Sequence, residues 1–140
     1  MTDVHNPDVR SKNMRAIRGK NTAPEMEVRR QLHAAGFRFR LHSKELPGRP
    51  DVVLPKHRVA LFVHGCFWHQ HPGCRFATMP AKNREFWFEK LSMNAMRDER
   101  QQRALTEAGW TPLVIWECQI RDALQMSRLF ETIRLNAPVR

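Results

Sequence analysis

The sequence predicts an α/β protein: a small mixed β-sheet flanked by helices. Two observations carry this expectation. Three short apolar runs, residues 50–54, 58–63 and 111–116, have the length and residue types of strands. Longer stretches with helical spacing and helix-start residues lie between and around them, over 22–36, 83–108 and 119–135. The order helix, three strands, helix, strand, helix then gives a sandwich around one sheet. A chain of 140 residues suits a single domain. It is long enough to bury ~70% of its unfolded surface without staples.

The elements follow in order. Residues 1–20 are polar and basic, with Met14 and Ile17 interrupting at helical spacing, and read as an arm. Thr22-Ala23-Pro24-Glu25 is a helix start: Thr22 caps, Pro24 suits the first turn, and Glu25 completes a capping box. Val28, Leu32 and Ala35 continue an apolar stripe, and Gly36 stops it. Residues 37–41 (Phe-Arg-Phe-Arg-Leu) alternate strictly and predict a half-buried strand. A loop leads to the strand 50–54, with Pro50 at its edge. After the turn Pro55-Lys56-His57, residues 58–63 are nearly all apolar and predict a strand buried on both faces. Residues 64–82 form an irregular loop. Asn83 is placed to cap a long helix that Gly109 ends. A buried strand over 111–116 and a last helix over about 119–135 complete the chain.

Charge narrows the partner. Twenty-four Lys and Arg oppose fourteen Asp and Glu, a net +10. Such a balance favours nucleic acid, whose condensed counterions are released when phosphates are neutralised. An anionic membrane fits less well, because no long basic amphipathic helix is present. No apolar run is long enough to span a bilayer. The N-terminus lacks the apolar core of a signal peptide, and an odd count of three cysteines fits poorly with a disulfide framework. The chain is therefore expected in the cytoplasm with its thiols reduced.

The densest chemistry lies between residues 50 and 74. Cys66 and Cys74 bracket His69 and His71, and Cys118 follows the strand 111–116. If that strand neighbours 58–63, the ends meet and three thiolates with one imidazole make a closed tetrahedral zinc site. Spacing does not decide between His69 and His71. Asp51 opens a strand, and Glu25 lies near a helix start. Carboxylates beside a strand end suit Mg²⁺, with His64 or His69 to move a proton or orient water. In the long helix, Trp87, Leu91, Asn94, Asp98 and Leu105 share one face. Asn94 and Asp98 are expected to turn inward, either as a structural network or toward a site. Phe67 and Trp68 sit among the metal ligands. They read as a wedge for base steps or as a small satellite core, and Met14 is a second candidate wedge.

Together these residues resemble the very-short-patch repair (Vsr) DNA mismatch endonucleases. The resemblance runs through Asp3-Val4-His5, Arg10-Ser11-Lys12-Asn13-Met14-Arg15-Ala16-Ile17, Leu46-Pro47-Gly48-Arg49-Pro50-Asp51 and His64-Gly65-Cys66-Phe67-Trp68-His69. It continues in Glu85-Phe86-Trp87, Glu89-Lys90, Asn94, Arg97-Asp98 and Val114-Ile115-Trp116-Glu117-Cys118, covering nearly the whole chain. It implies a fold like that of restriction endonucleases of the PD-(D/E)xK type, a three-layer core with a structural zinc loop. It also implies Mg²⁺-dependent nicking of one strand on the 5′ side of the T of a T:G mismatch, the product of 5-methylcytosine deamination. A MutL-type repair protein is the implied partner besides the DNA, and nicking an asymmetric lesion needs only a monomer.

By the same resemblance, Asp51 and the backbone carbonyl of Val63 bind magnesium, and His69 is the general acid or base. His64 and Asp98 hold metal-bound waters, and Glu25 supports the site. Cys66, His71, Cys74 and Cys118 bind zinc, and Met14, Phe67 and Trp68 intercalate. The division is an arm over 1–20 and an endonuclease domain over 21–140. The chain departs from the better-known pattern where Val63 stands for a threonine and where Gly73 adds a residue before Cys74. The second acid and lysine of the restriction pattern are absent, as in the family. Alternatives are a restriction-like enzyme on undamaged DNA and a non-catalytic zinc-stabilised DNA binder.

Overall fold

The computed structural model describes residues 21–136, so the arm over 1–20, with Met14, lies outside the described residues. The elements are α1 (Ala23–Ala34), β1 (Arg40–Leu41), β2 (Val52–Leu54), β3 (Val59–His64), α2 (Arg84–Glu107), β4 (Thr111–Trp116) and α3 (Ala123–Leu135). Single 3-10 turns cover Pro55–His57 and Glu117–Gln119. The strands form one mixed sheet in the order β1-β2-β3-β4. The first two pairings are antiparallel, and β3 and β4 run parallel.

Alternation along the strands assigns the two faces of the sheet. Leu61 of β3 and Ile115 of β4 join Val28 and Leu32 of α1 and Met126, Leu129 and Ile133 of α3 in one core. On the opposite face Ala60, Phe62 and Val114 meet Leu105 of α2. Helices therefore cover both faces, which explains why β3 is buried along nearly all its length. Leu32, Leu61 and Leu105 have no exposed surface, and truncating one of them to Ala should cost ~2–5 kcal/mol.

Local structure departs from expectation in four places. The strand foreseen over 37–41 pairs only at Arg40–Leu41. Its partner β2 has three residues before Pro55 turns the chain, so Phe37 has no ladder to join. Phe37 is buried instead against the Phe130 and His57 rings. The capping box at α1 is half formed. Thr22 Oγ1 accepts from the Glu25 N–H, but the Glu25 carboxylate takes the N–H of Asn21 rather than that of Thr22. Asn83 precedes α2 in a left-handed conformation and makes no side-chain cap. The last helix begins later than foreseen, where Asp122 Oδ1 accepts from the N–H groups of Leu124 and Gln125.

Candidate active site and metal cluster

The parallel register sets His64 beside Trp116 at the carboxyl ends of β3 and β4. Two residues further on lie Cys66 and Cys118, so a sequence separation of 52 residues closes at one sheet end. Because β2 runs antiparallel to β3, its first residues lie at that same end. The β2–β3 ladder stops at Val52 and Leu61. Beyond it, Asp51 replaces the missing backbone partner: its Oδ2 accepts the Val63 N–H at 2.7 Å.

Three titratable side chains, Glu25, Arg29 and His42, gather beside Asp51. Glu25, in the first turn of α1, is buried and its Oε2 lies 2.7 Å from Arg29 Nη2 and 2.9 Å from His42 Nε2. The backbone N–H of His42 donates to the backbone carbonyl of Asp51 at 3.3 Å. Glu25, His42 and Asp51 bring ligand atoms within 4.8 Å of one another. Sequence reasoning missed His42. It sits in a loop with positive φ and no motif marks it, so only the folded contact reveals it.

The second group is His64, His69 and Asp98, also within 4.8 Å. His69 Nδ1 lies 2.6 Å from Asp98 Oδ2, and the His64 and His69 rings stack at 3.8 Å. Asp98 and Asn94 therefore do turn inward from α2, Asn94 donating to the Trp68 carbonyl. Burial acts on both groups. It pushes the Asp51 carboxyl up to about 7, with Glu25 adding to the effect. It pulls His64 down to about 4, helped by His69.

Glu25, Asp51, Val63, His64, His69 and Asp98 line one cleft of about 860 Å³. Phe67 and Trp68 border the same cleft. They are partly buried and pack edge-on to each other at 5.1 Å and against Trp87. Neither stands in the main core.

A separate cluster joins Cys66, His71, Cys74 and Cys118 within 4.8 Å, and all three cysteines are free thiols. His71 Nδ1 lies 3.4 Å from Cys118 Sγ and 3.8 Å from Cys66 Sγ. The folded chain thus separates the two histidines that spacing left open: His71 faces sulfur and His69 faces Asp98. Burial lifts the Cys66 thiol to about 12, so a cation is what would ionise it. Gly73 takes φ +72° with nothing close to its Cβ position, so the added residue is absorbed in a left-handed turn. Three sulfurs and one imidazole suit a soft metal, whereas the carboxylates of the cleft suit a hard one.

A basic chain whose sheet end gathers paired carboxylates and a carboxylate-backed histidine has the charge and the donor groups suited to a DNA-cleaving hydrolase. A profile of the family described as DNA mismatch endonuclease Vsr matches residues 2–75. The chain is 46% identical over 135 residues to the DNA mismatch endonuclease Vsr of Escherichia coli K12, covering 96% of this chain and 86% of that protein. It is 48% identical over 122 residues to the type II nicking enzyme V.XorIIP of Xanthomonas oryzae, covering 87% and 89%. It is 38% identical over 135 residues to the type II nicking enzyme V.NmeAIP of Neisseria meningitidis, covering 96% of each. The chain belongs to the Vsr family of DNA mismatch endonucleases. Among the described residues, no helix is long and apolar enough to cross a membrane.

Proposed function

We propose that this endonuclease hydrolyses one phosphodiester bond on the 5′ side of the T of a T:G mismatch, using Mg²⁺, and so starts very-short-patch repair. The observation that carries this reading is the single cleft in which Asp51, Glu25, His64, His69 and Asp98 meet beside Phe67 and Trp68. Asp51 and the Val63 carbonyl are the proposed magnesium ligands. In a strand the N–H and C=O of one residue point to the same side. Since the Val63 N–H meets Asp51, that geometry favours a Val63 carbonyl directed to the Asp51 side, and a valine serves there as well as a threonine.

Bound there, Mg²⁺ would stabilise charge on the phosphate and lower the pKa of a bound water. Glu25 sets the charge beside Asp51, itself held by Arg29 and His42. His69 is the proton carrier: Asp98 accepts from Nδ1–H and fixes the tautomer, leaving Nε2 to exchange a proton with water or the leaving oxygen. His64, kept neutral by burial and with Nδ1 lacking a partner among the described residues, would join Asp98 in orienting water beside a bound magnesium. Cys66, His71, Cys74 and Cys118 are the proposed structural zinc ligands, stiffening the loop that carries Phe67 and Trp68. Those two rings, with Met14 from the arm, are the proposed wedges.

Residues 1–20 act as a DNA-binding arm and 21–140 as one endonuclease domain with a restriction-endonuclease-like core. The enzyme works as a cytoplasmic monomer on nucleoid DNA, with a MutL-type protein as partner. The test is a duplex with one T:G pair and Mg²⁺. A single nick beside the T that disappears in Asp51→Ala supports the reading. Equal cutting of a matched duplex favours a restriction-like enzyme, and salt-sensitive binding without cutting favours a non-catalytic binder.

A further inference from the structure

We propose that Trp116 is a positioning residue that ties the zinc cluster to the two catalytic histidines. The inference rests on the reading that the sulfur cluster holds zinc. Its basis is a continuous column of rings. His71 stacks on Trp116 at 4.2 Å with planes 10° apart. Trp116 meets His64 edge-on at 5.1 Å and 74°. His64 stacks on His69 at 3.8 Å and 4°, and His69 Nδ1 ends the column on Asp98 at 2.6 Å.

The backbone holds the middle ring in place. Residue 116 is in register with His64 on the parallel pair, and its N–H donates to Gln119 Oε1 at 3.1 Å. That bond closes the turn Glu117–Gln119, which carries Cys118. A metal holding His71 fixes one face of the Trp116 ring. The Trp116 ring in turn walls the side of His64, and His64 sets the plane of His69. Rings in contact pass on a displacement along the column, because each ring occupies the space into which its neighbour would move. A flexible aliphatic side chain at 116 would leave both histidines free to tilt. A second route exists along the backbone, since the His69 N–H donates to the Gly65 carbonyl and the His71 N–H to the Cys66 carbonyl. The experiment must separate the two.

The full-length zinc-loaded protein is compared with Trp116→Leu and Trp116→Phe. Metal analysis and nicking of the T:G duplex by the unsubstituted protein come first. A protein without zinc there would defeat the zinc reading, separately from the role of Trp116. In Trp116→Leu, zinc content and duplex affinity should be unchanged, while the single-turnover nicking rate falls roughly 10–100-fold. Trp116→Phe, which keeps a flat ring, should recover most of that rate. A second readout does not depend on activity. Replacing Zn²⁺ by Cd²⁺ should move the ring NMR signals of His64 and His69 as well as His71 in the unsubstituted protein. In Trp116→Leu the change should stay at His71. A zinc-loaded Trp116→Leu with an unchanged rate overturns the proposal. So does a Cd²⁺ response at His64 and His69 that survives in Trp116→Leu, which would assign the coupling to the backbone. If Trp116→Leu does not fold, Trp116→Met takes its place: a Cd²⁺ response confined to His71 in the unsubstituted protein, or one that persists undiminished at His64 and His69 in Trp116→Met, overturns it equally.

Discussion

Asp51→Asn should abolish nicking and make the magnesium-free protein more stable. Burial raises the Asp51 carboxyl from 3.8 to about 7, with the Glu25 charge adding to it. A carboxyl raised in the folded state keeps a proton that the unfolded chain has released. Its ionised form therefore destabilises the fold increasingly as pH climbs from 3.8, and fully above 7. A rise from 3.8 to about 7 corresponds to ~4 kcal/mol, and charge sharing with Glu25 and Arg29 plus relaxation around a buried ion bring this to about 2 kcal/mol. Asn keeps an oxygen to accept the Val63 N–H, so little packing is lost. The assay is thermal melting of zinc-loaded, magnesium-free protein at pH 8 and pH 5. At pH 8 the variant should melt roughly 4–8 °C higher, and at pH 5 the gap should shrink. Mg²⁺ should raise the melting temperature of the unsubstituted protein and leave Asp51→Asn unmoved. A variant that melts no higher at pH 8, or that gains as much from Mg²⁺, would refute the reasoning.

Three further outcomes are expected. Cys118→Ser should lower zinc from about one ion per chain to substoichiometric levels and reduce the melting temperature, read by metal analysis and calorimetry. Retention of metal and stability would remove Cys118 from the site. Trp68→Ala should weaken binding to a T:G duplex by roughly tenfold, as loss of one base–aromatic stack does, with non-specific binding little changed. Equal losses on both duplexes would reject the wedge. His42→Ala takes from the Glu25 carboxylate one of its two side-chain partners, the other being Arg29. It should slow nicking by roughly tenfold and raise the Mg²⁺ concentration needed, whereas His42→Gln, which can still donate, should be milder.

Much of the architecture was legible because β3 and β4 are apolar runs of strand length and α1 carries a clear cap, although the strand over 111–116 was expected to be buried and, at the edge of the sheet, buries only Ile115. Asp51 and the cysteines were legible because acids beside strand ends and sulfurs in a Pro/Gly loop have few other reasons to sit there. Residues 37–39 were not. Alternation of Phe and Arg reports a buried and an exposed side, and that pattern holds whether or not a neighbouring strand is long enough to pair. Glu25 satisfied a helix-start motif in sequence, but the folded chain offers its carboxylate stronger partners in Arg29 and His42. His42 gave no signal at all, since a lone loop histidine acquires meaning only from residues 17 positions away. The assignment of His69 and His71 to different sites depends on how the loop turns after Cys66, which spacing does not encode.

The central claim is that one cleft cuts DNA at a mispaired T. Its most direct test places two duplexes of one sequence in a single tube, one with T:G and one with T:A, each carrying its own label. Enzyme and Mg²⁺ are added, and both strands are mapped at nucleotide resolution. The proposed function predicts one nick, on the T strand, immediately 5′ to the mispaired T, with the T:A duplex intact. Cleavage of both duplexes at equal rates, or cuts on both strands of either, would contradict it.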